Sequence, residues 1–306
     1  MKDALLDSEP RLQFAGHETF PLRLLWLKKA HDAIVEDGRV RRTFQEQGAI
    51  ARFGVGKNMA LSMRHWAVAS KMALPVDGVF HEPTEVARRI LGDDGYDPFL
   101  EKPATLWLIH ATLAGAPAPC TTFYYAFNLL NQSEFDREGL NQAILDLARS
   151  RNARATPETI KRDVEVFLRS YVGRSADGGE DAAEPLLAEL GLIRDARLSG
   201  QYEFVRGPQP SLPDEIFAVH LHRFWKRLGE QPTLSAEAIA YAPGGPGRVF
   251  KLDEDSVITR LTGLGDLTNG AFVWTDTAGL RQVNFRDGGI DELQMTCAAY
   301  MRGAGA

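Results

Sequence analysis

The sequence is poor in cysteine and in long apolar segments. Its two cysteines, Cys120 and Cys297, form neither a disulfide framework nor a CxxC metal-binding pattern. Its apolar runs are far shorter than the roughly 18 residues of a membrane-spanning helix. The N-terminus is acidic and lacks the basic segment and apolar stretch of a signal peptide. We therefore expect a cytoplasmic protein with reduced thiols.

The composition is that of a folded protein: 44% of the 306 residues are hydrophobic and 25% are charged. These proportions exclude wholesale disorder. This length allows two domains. Thr156-Pro157-Glu158 supplies an N-cap, a first-turn proline and an acid at the start of a strongly amphipathic stretch. We predict an N-terminal helical domain over residues 1–150 and a C-terminal domain over residues 151–306.

Local patterns predict a mainly α fold with short β-hairpins. Helices predicted over residues 43–53 and 57–72 flank Gly54-Val55-Gly56, and Asp77-Gly78 then favours a hairpin. This order predicts a winged helix-turn-helix near residues 41–91. The same order can be traced near residues 156–205 and 234–287, without visible sequence repetition. The sequence therefore predicts a multi-unit winged-helix (helix-turn-helix) architecture.

Basic residues are concentrated in one window of this acidic chain. Seven cations and one acid lie between Arg39 and Met72, whereas the net charge of the whole chain is −6. The second helix of a helix-turn-helix contacts base edges while neighbouring cations contact phosphates. We predict that double-stranded DNA binds here, and the contacts are Lys57, Asn58, Ser62, Arg64 and His65 in the groove and Arg41, Arg42, Arg52 and Lys71 at the phosphates.

Two other interpretations compete for this window. The cations could simply solvate a helix face while Met59, Met63 and Trp66 pack inward. Alternatively, Gly54-Val55-Gly56-Lys57 could be a phosphate loop. However, Asn58 replaces the Ser or Thr of that motif and no strand precedes it. We therefore predict no nucleotide cofactor.

His17 and Glu18 form the one pair that suggests acid–base or metal chemistry. Neighbouring side chains cannot complete such a site alone, and further ligands would have to converge on them. Capping of a helix over residues 20–33 by Thr19, with Glu18 favoured at the positive helix end, explains most of this pattern and is the preferred interpretation. We predict no catalytic residue and no metal site, and an enzyme that uses His17 and Glu18 remains the third hypothesis.

Several stretches together resemble a bacterial family of unassigned function. The resemblance runs from about residue 12 to residue 300, and the stretches that carry it are Gly16-His17-Glu18-Thr19-Phe20-Pro21, Trp26-Leu27-Lys28-Lys29, Gly54-Val55-Gly56-Lys57-Asn58-Met59, Ser62-Met63-Arg64-His65-Trp66, Asp97-Pro98-Phe99-Leu100-Glu101, Pro103-Ala104-Thr105-Leu106-Trp107, Pro210-Ser211-Leu212-Pro213-Asp214-Glu215 and Arg248-Val249-Phe250-Lys251-Leu252 after Pro243-Gly244. Members of this family are encoded beside phosphoadenosine-phosphosulfate-reductase-like proteins of DNA phosphorothioation and phage-defence clusters. The resemblance supplies no catalytic residues.

This resemblance implies a cytoplasmic accessory protein of a DNA-modification or phage-defence cluster. Together with the basic helix-turn-helix, it favours a DNA-binding accessory or regulatory protein of a DNA phosphorothioate-modification or phage-defence system. The alternative is an adaptor that docks the phosphoadenosine-phosphosulfate-reductase-like enzyme without touching DNA. A homodimer is compatible with both, because winged-helix proteins often dimerise, and the spacing of DNA half-sites would then matter for the DNA-binding role.

Overall fold

The structure, a computed structural model, describes residues 11–38, 43–44, 46–173, 185–196, 200–229, 231–277, 279–286 and 289–301. Within these ranges the chain is mainly helical and carries three small antiparallel sheets, which confirms the predicted balance of helix and hairpin. No helix in the described ranges is long and apolar enough to cross a membrane.

The first group of elements contains the predicted helix pair and hairpin. Its elements are α1 (Trp26–Asp37), α2 (Glu46–Phe53), α3 (Lys57–Ala69), β1 (Ala73–Val76), β2 (Phe80–Pro83) and α4 (Glu85–Leu91). Strands β1 and β2 pair antiparallel from Ala73↔Pro83 to Val76↔Phe80. The connecting loop contains Asp77 and Gly78, both with positive φ, so the predicted turn signal is confirmed.

The first helix starts later than the sequence predicts. Thr19 does not cap it, because Glu18 and Thr19 have φ of 49° and 72° and α1 begins only after Leu25, whose φ is 64°. The carbonyl oxygen of Phe20 accepts a hydrogen bond from Trp66 Nε1 at 3.0 Å. Tertiary contacts therefore hold the segment before α1 in an irregular path, and the prediction of a helix from Phe20 was wrong.

The second group surrounds a three-stranded sheet. Its elements are α5 (Pro103–Ala114), α6 (Thr121–Asn128), β3 (Glu134–Asp136), α7 (Arg137–Ser150), α8 (Pro157–Tyr171), a 3-10 helix (Leu186–Leu190), β4 (Ile193–Asp195) and β5 (Gln201–Phe204). The strand order is β3-β5-β4, and both pairings are antiparallel. Thr156 accepts a hydrogen bond from the Thr159 N–H, and Pro157 occupies the first turn, so the predicted start of α8 is confirmed.

The third group repeats this arrangement. Its elements are α9 (Asp214–Leu228), β6 (Thr233–Ser235), α10 (Ala236–Tyr241), α11 (Pro246–Val249), α12 (Glu254–Leu267), β7 (Phe272–Thr277), β8 (Leu280–Phe285) and α13 (Glu292–Met301). The strand order is β6-β8-β7, again antiparallel throughout. In both sheets, the strand before the helices pairs with the last strand of the hairpin.

One hydrophobic core runs through all three groups. It includes Trp66 from α3, Trp107 from α5, Phe167 from α8 and Phe250 after α11, all essentially without solvent exposure. Hydrogen bonds between β3 and β5 cross residue 150. The division into domains at residues 1–150 and 151–306 stays a prediction.

Candidate nucleic-acid interface

Helix α3 presents a polar outer face near its start. Gly54 has a φ of 63°, which turns the chain after α2, and Gly56 then occupies the N-cap position of α3. Lys57, Asn58 and Arg64 on α3 are exposed. Because a helix rises about 1.5 Å per residue, Lys57 and Arg64 lie about 10 Å apart along its axis. Lys57 and Arg64 lie on one side of the helix and Asn58 lies about a quarter to a third of a turn around from them, and we call this exposed donor set the α3 strip.

The opposite face of α3 is packed against the segment before α1. Ser62 has no exposed surface, and its hydroxyl lies 3.4 Å from the carbonyl oxygen of Phe20. Its spacing from Met59 and Trp66, three and four residues, already places Ser62 on the apolar side of a helix. A groove contact by Ser62 stays untested, but in this structure its side chain faces the core and not solvent.

His65 also turns away from the α3 strip. Its ring lies against Gly16, where an added Cβ would be 2.7 Å from His65 Nδ1, and its centroid is 5.8 Å from that of His17. Burial, together with the nearby His17, lowers the pKa of His65 to about 4. The ring is therefore neutral at pH 7, and it contributes packing at this position.

The four residues predicted to contact phosphates have different surroundings in the structure. Arg41 and Arg42 lie outside the described residues. Arg52 on α2 forms ion pairs with Glu36 and Asp37 at the end of α1, and its side chain is 23% exposed. This double pairing joins α2 to α1, so Arg52 has a structural role even where it remains accessible.

Lys71 follows α3 and is exposed, with a φ of 57°. Partial burial of its ammonium and the positive charges of Arg223 and Arg227 lower the pKa of Lys71, and Glu292 opposes this effect. Arg223 and Arg227 lie on α9, and Arg223 Nε donates to Glu292 at 2.8 Å. This cationic neighbourhood has no signal in the sequence, because α9 follows α3 by some 150 residues and no local pattern connects them.

His17 is paired with Asp163 of α8 and not with Glu18. Its Nε2 lies 2.6 Å from Asp163 Oδ1, and the His17 ring stacks on Trp66 at 6.1 Å. The same carboxylate accepts the N–H of Ala15 at 2.8 Å and the hydroxyl of Thr122. These buried contacts attach the segment of residues 11–20, which we call the N-terminal strap, to α8, α6 and α3.

The described residues contain no group of three or more His, Cys, Asp or Glu side chains that could hold a metal ion. Cys120 is buried, and desolvation raises the pKa of its thiol well above the usual range. Burial and a raised thiol pKa both oppose nucleophilic reactivity at Cys120.

Comparison with known proteins extends over almost the whole chain. Two crystal structures of SspB are similar to it at 28% identity, with TM-scores of 0.80 and 0.81. Each match covers 95% of this chain and 87% of the SspB chain, and one of the two is magnesium ion-bound SspB. No curated protein matches the sequence. A family model described as a protein of unknown function, DUF4007, matches residues 14–300, and the chain therefore belongs to the DUF4007 family.

Proposed function

We propose that this protein is a DNA-binding accessory or regulatory component of a bacterial DNA phosphorothioate-modification or phage-defence system. The proposed role is binding and positioning of duplex DNA, without a catalytic step of its own. The α3 strip is the observation that carries the proposal, because its donors stand exposed on the second helix of a helix pair. Similarity to SspB, a component of a DNA phosphorothioation system, supports the cellular context.

Sheet topology supports a winged-helix interpretation of the molecule. A winged helix consists of a strand, a helix pair and a hairpin whose last strand pairs with the first strand. The orders β3-β5-β4 and β6-β8-β7 have this pairing. The first group has the helix pair α2 and α3 followed by the β1–β2 hairpin, and its sheet has two strands among the described residues. The second helix of such a unit is the one that enters the major groove.

Side-chain chemistry on the α3 strip suits duplex DNA. Asn58 can form paired hydrogen bonds with adenine, and Arg64 can do so with guanine. Lys57 at the helix start and Lys71 just beyond its end would then contact phosphates on either side of the groove. Lys71 also has Arg223 and Arg227 nearby, so positive charge extends from α3 towards α9.

The test measures binding of a fluorescently labelled random duplex, with fluorescence anisotropy as the readout, at several salt concentrations. Two variants are compared with the wild type: Lys57→Glu/Arg64→Glu and a control, Arg89→Glu, at an exposed residue of α4 that pairs with Glu85. The wild type should lose affinity steeply with salt. The first variant should bind at least about a hundredfold more weakly, with a salt slope smaller by about 1, because Lys57 is the phosphate contact it loses and each such contact accounts for about 0.9 of the slope.

Other outcomes separate this proposal from its alternative. Circular dichroism of each variant checks that the fold is retained. If the α3 variant and the Arg89→Glu control bind the duplex with equal affinity, α3 is not part of the DNA interface. An absence of binding even at low salt, together with stable co-purification with a phosphoadenosine-phosphosulfate-reductase-like protein, would favour the adaptor that docks this enzyme.

A further inference from the structure

A basic cleft lies between the N-terminal strap and the turn that joins α7 to α8. It consists of two adjoining cavities of about 620 Å³ and 430 Å³. Both are lined by Arg11, Leu12, Ala153 and Arg154, and the larger one also by Arg151. None of the described residues that line the cleft carries a carboxylate. The cleft is therefore positively charged along both walls.

Arg151 supplies the observation that points to a ligand. Its Nη2 is shielded from solvent, yet it has no hydrogen-bond partner in the structure. A buried donor without an acceptor costs about 1 to 3 kcal/mol, and more for a charged group, so native proteins rarely leave one unsatisfied. Arg151 lines the larger cavity, and a turn of its side chain towards an anion bound there would give Nη2 an acceptor.

Both walls of the cleft are held in place by the backbone. On one side, Asn152 adopts a φ of 49°, and the N–H of Ala153 donates to the Ala148 carbonyl at 2.8 Å. On the other side, the N–H of Gln13 donates to Thr121 Oγ1 at 2.9 Å. Because both walls are already fixed, the backbone that carries the arginines needs little further ordering when a ligand binds. This favours recognition of a small rigid anion.

We propose that this cleft binds a phosphate group and that the backbone of duplex DNA supplies it. Guanidinium groups match the geometry of phosphate oxygens and bind them through paired hydrogen bonds. The cleft flanks the turn before α8, which is the second helix of its own helix pair. Lys161 and Arg162 are exposed further along that helix, beyond the exposed Glu158 of its first turn. This proposal rests on the proposed function for the source of the phosphate, and it adds a second contact to the α3 strip.

The experiment uses the full chain and two ligands. The variant Arg151→Gln/Arg154→Gln is titrated with the random duplex and, by calorimetry, with inorganic pyrophosphate. The control Arg89→Gln removes one exposed charge from α4, outside the cleft. Should the double variant fail to fold, Arg11→Gln tests the same cleft from its exposed wall. We expect duplex affinity to fall about tenfold or more in the cleft variant and to change less than about twofold in the control.

The outcomes distinguish this site from the α3 strip. If duplex affinity falls in the cleft variant but not in the Lys57→Glu/Arg64→Glu protein, the cleft is supported as a DNA contact. The same result shows that the α3 strip is not part of the DNA interface. Duplex affinity equal to that of Arg89→Gln overturns the cleft and leaves the proposed function standing.

Failure of the wild type to bind duplex DNA refutes the proposed function. The calorimetric titration with pyrophosphate then tests whether the cleft is a phosphate site. Heat of binding that disappears in the cleft variant identifies a phosphate site filled by a free phosphate compound and overturns DNA as the source. An absence of binding to pyrophosphate as well overturns the cleft as a phosphate site altogether.

Discussion

Replacing Asp163 by alanine should loosen the N-terminal strap from the rest of the fold. The carboxylate is 6% exposed and accepts hydrogen bonds from Ala15, His17 and Thr122. Its removal leaves three buried donors without an acceptor. Removing one partner of a buried charged network costs about 3–5 kcal/mol. We expect a loss of this size in the free energy of unfolding.

Urea denaturation followed by circular dichroism measures this loss, with Asp146→Ala as the control. Asp146 on α7 is 61% exposed, pairs with Arg149 at 3.6 Å and accepts a hydrogen bond from Gln142, so its removal should cost less than about 1 kcal/mol. Hydrogen exchange should also accelerate in peptides that cover residues 11–20, because the strap loses its buried anchor. A cost below about 1 kcal/mol, or unchanged exchange in the strap, would refute the idea that Asp163 holds it.

Three further predictions concern pH and close packing. Burial opposes ionisation of Glu292, but its hydrogen bonds with His222 and Arg223 and their charges lower its pKa to about 2, below the unfolded value of about 4.5. The stability it contributes is therefore present above about pH 4.5 and lost towards pH 2, and the unfolding free energy of Glu292→Gln should depend less steeply on pH in this window. Gly247→Ala should lower the melting temperature, because an added Cβ would lie 2.3 Å from the carbonyl oxygen of Ala240, and an overpacked site costs about 1–3 kcal/mol. At Gly263 on α12 an added Cβ would have nothing within 4 Å, so Gly263→Ala should raise the melting temperature through a gain of about 0.5–1 kcal/mol in stability. Equal shifts of the melting temperature in both glycine variants would contradict the packing argument.

Local chemistry made part of the fold predictable. Thr156-Pro157 marks the start of α8 because its cap and its proline act within one helical turn. Gly54 and Asp77-Gly78 mark the turns because positive φ is inexpensive at glycine and tolerated at aspartate. The helix pair and hairpin of the first group could therefore be placed from the sequence alone.

Features that depend on distant partners could not be predicted in this way. Strands β3 and β6 have three residues each, too few for a periodic pattern, and they exist through pairing with strands made much later in the chain. His17 and Asp163 are 146 positions apart, so no spacing rule connects them. Arg11 and Arg151 are likewise brought to one cleft only by the path of the strap.

The pairing of β3 with β5 has a consequence for how the chain is completed during synthesis. Phe135 leaves the ribosome well before Tyr202, its partner across the sheet, so the edge of β3 stays open while α7 and α8 are made. The second group can close only when the last strand of its hairpin has emerged, and β6 waits for β8 in the same way. A nascent chain stopped at residue 150 would therefore expose an unpaired strand, and dissection of this protein into stable fragments requires cuts that keep each early strand with its late partner.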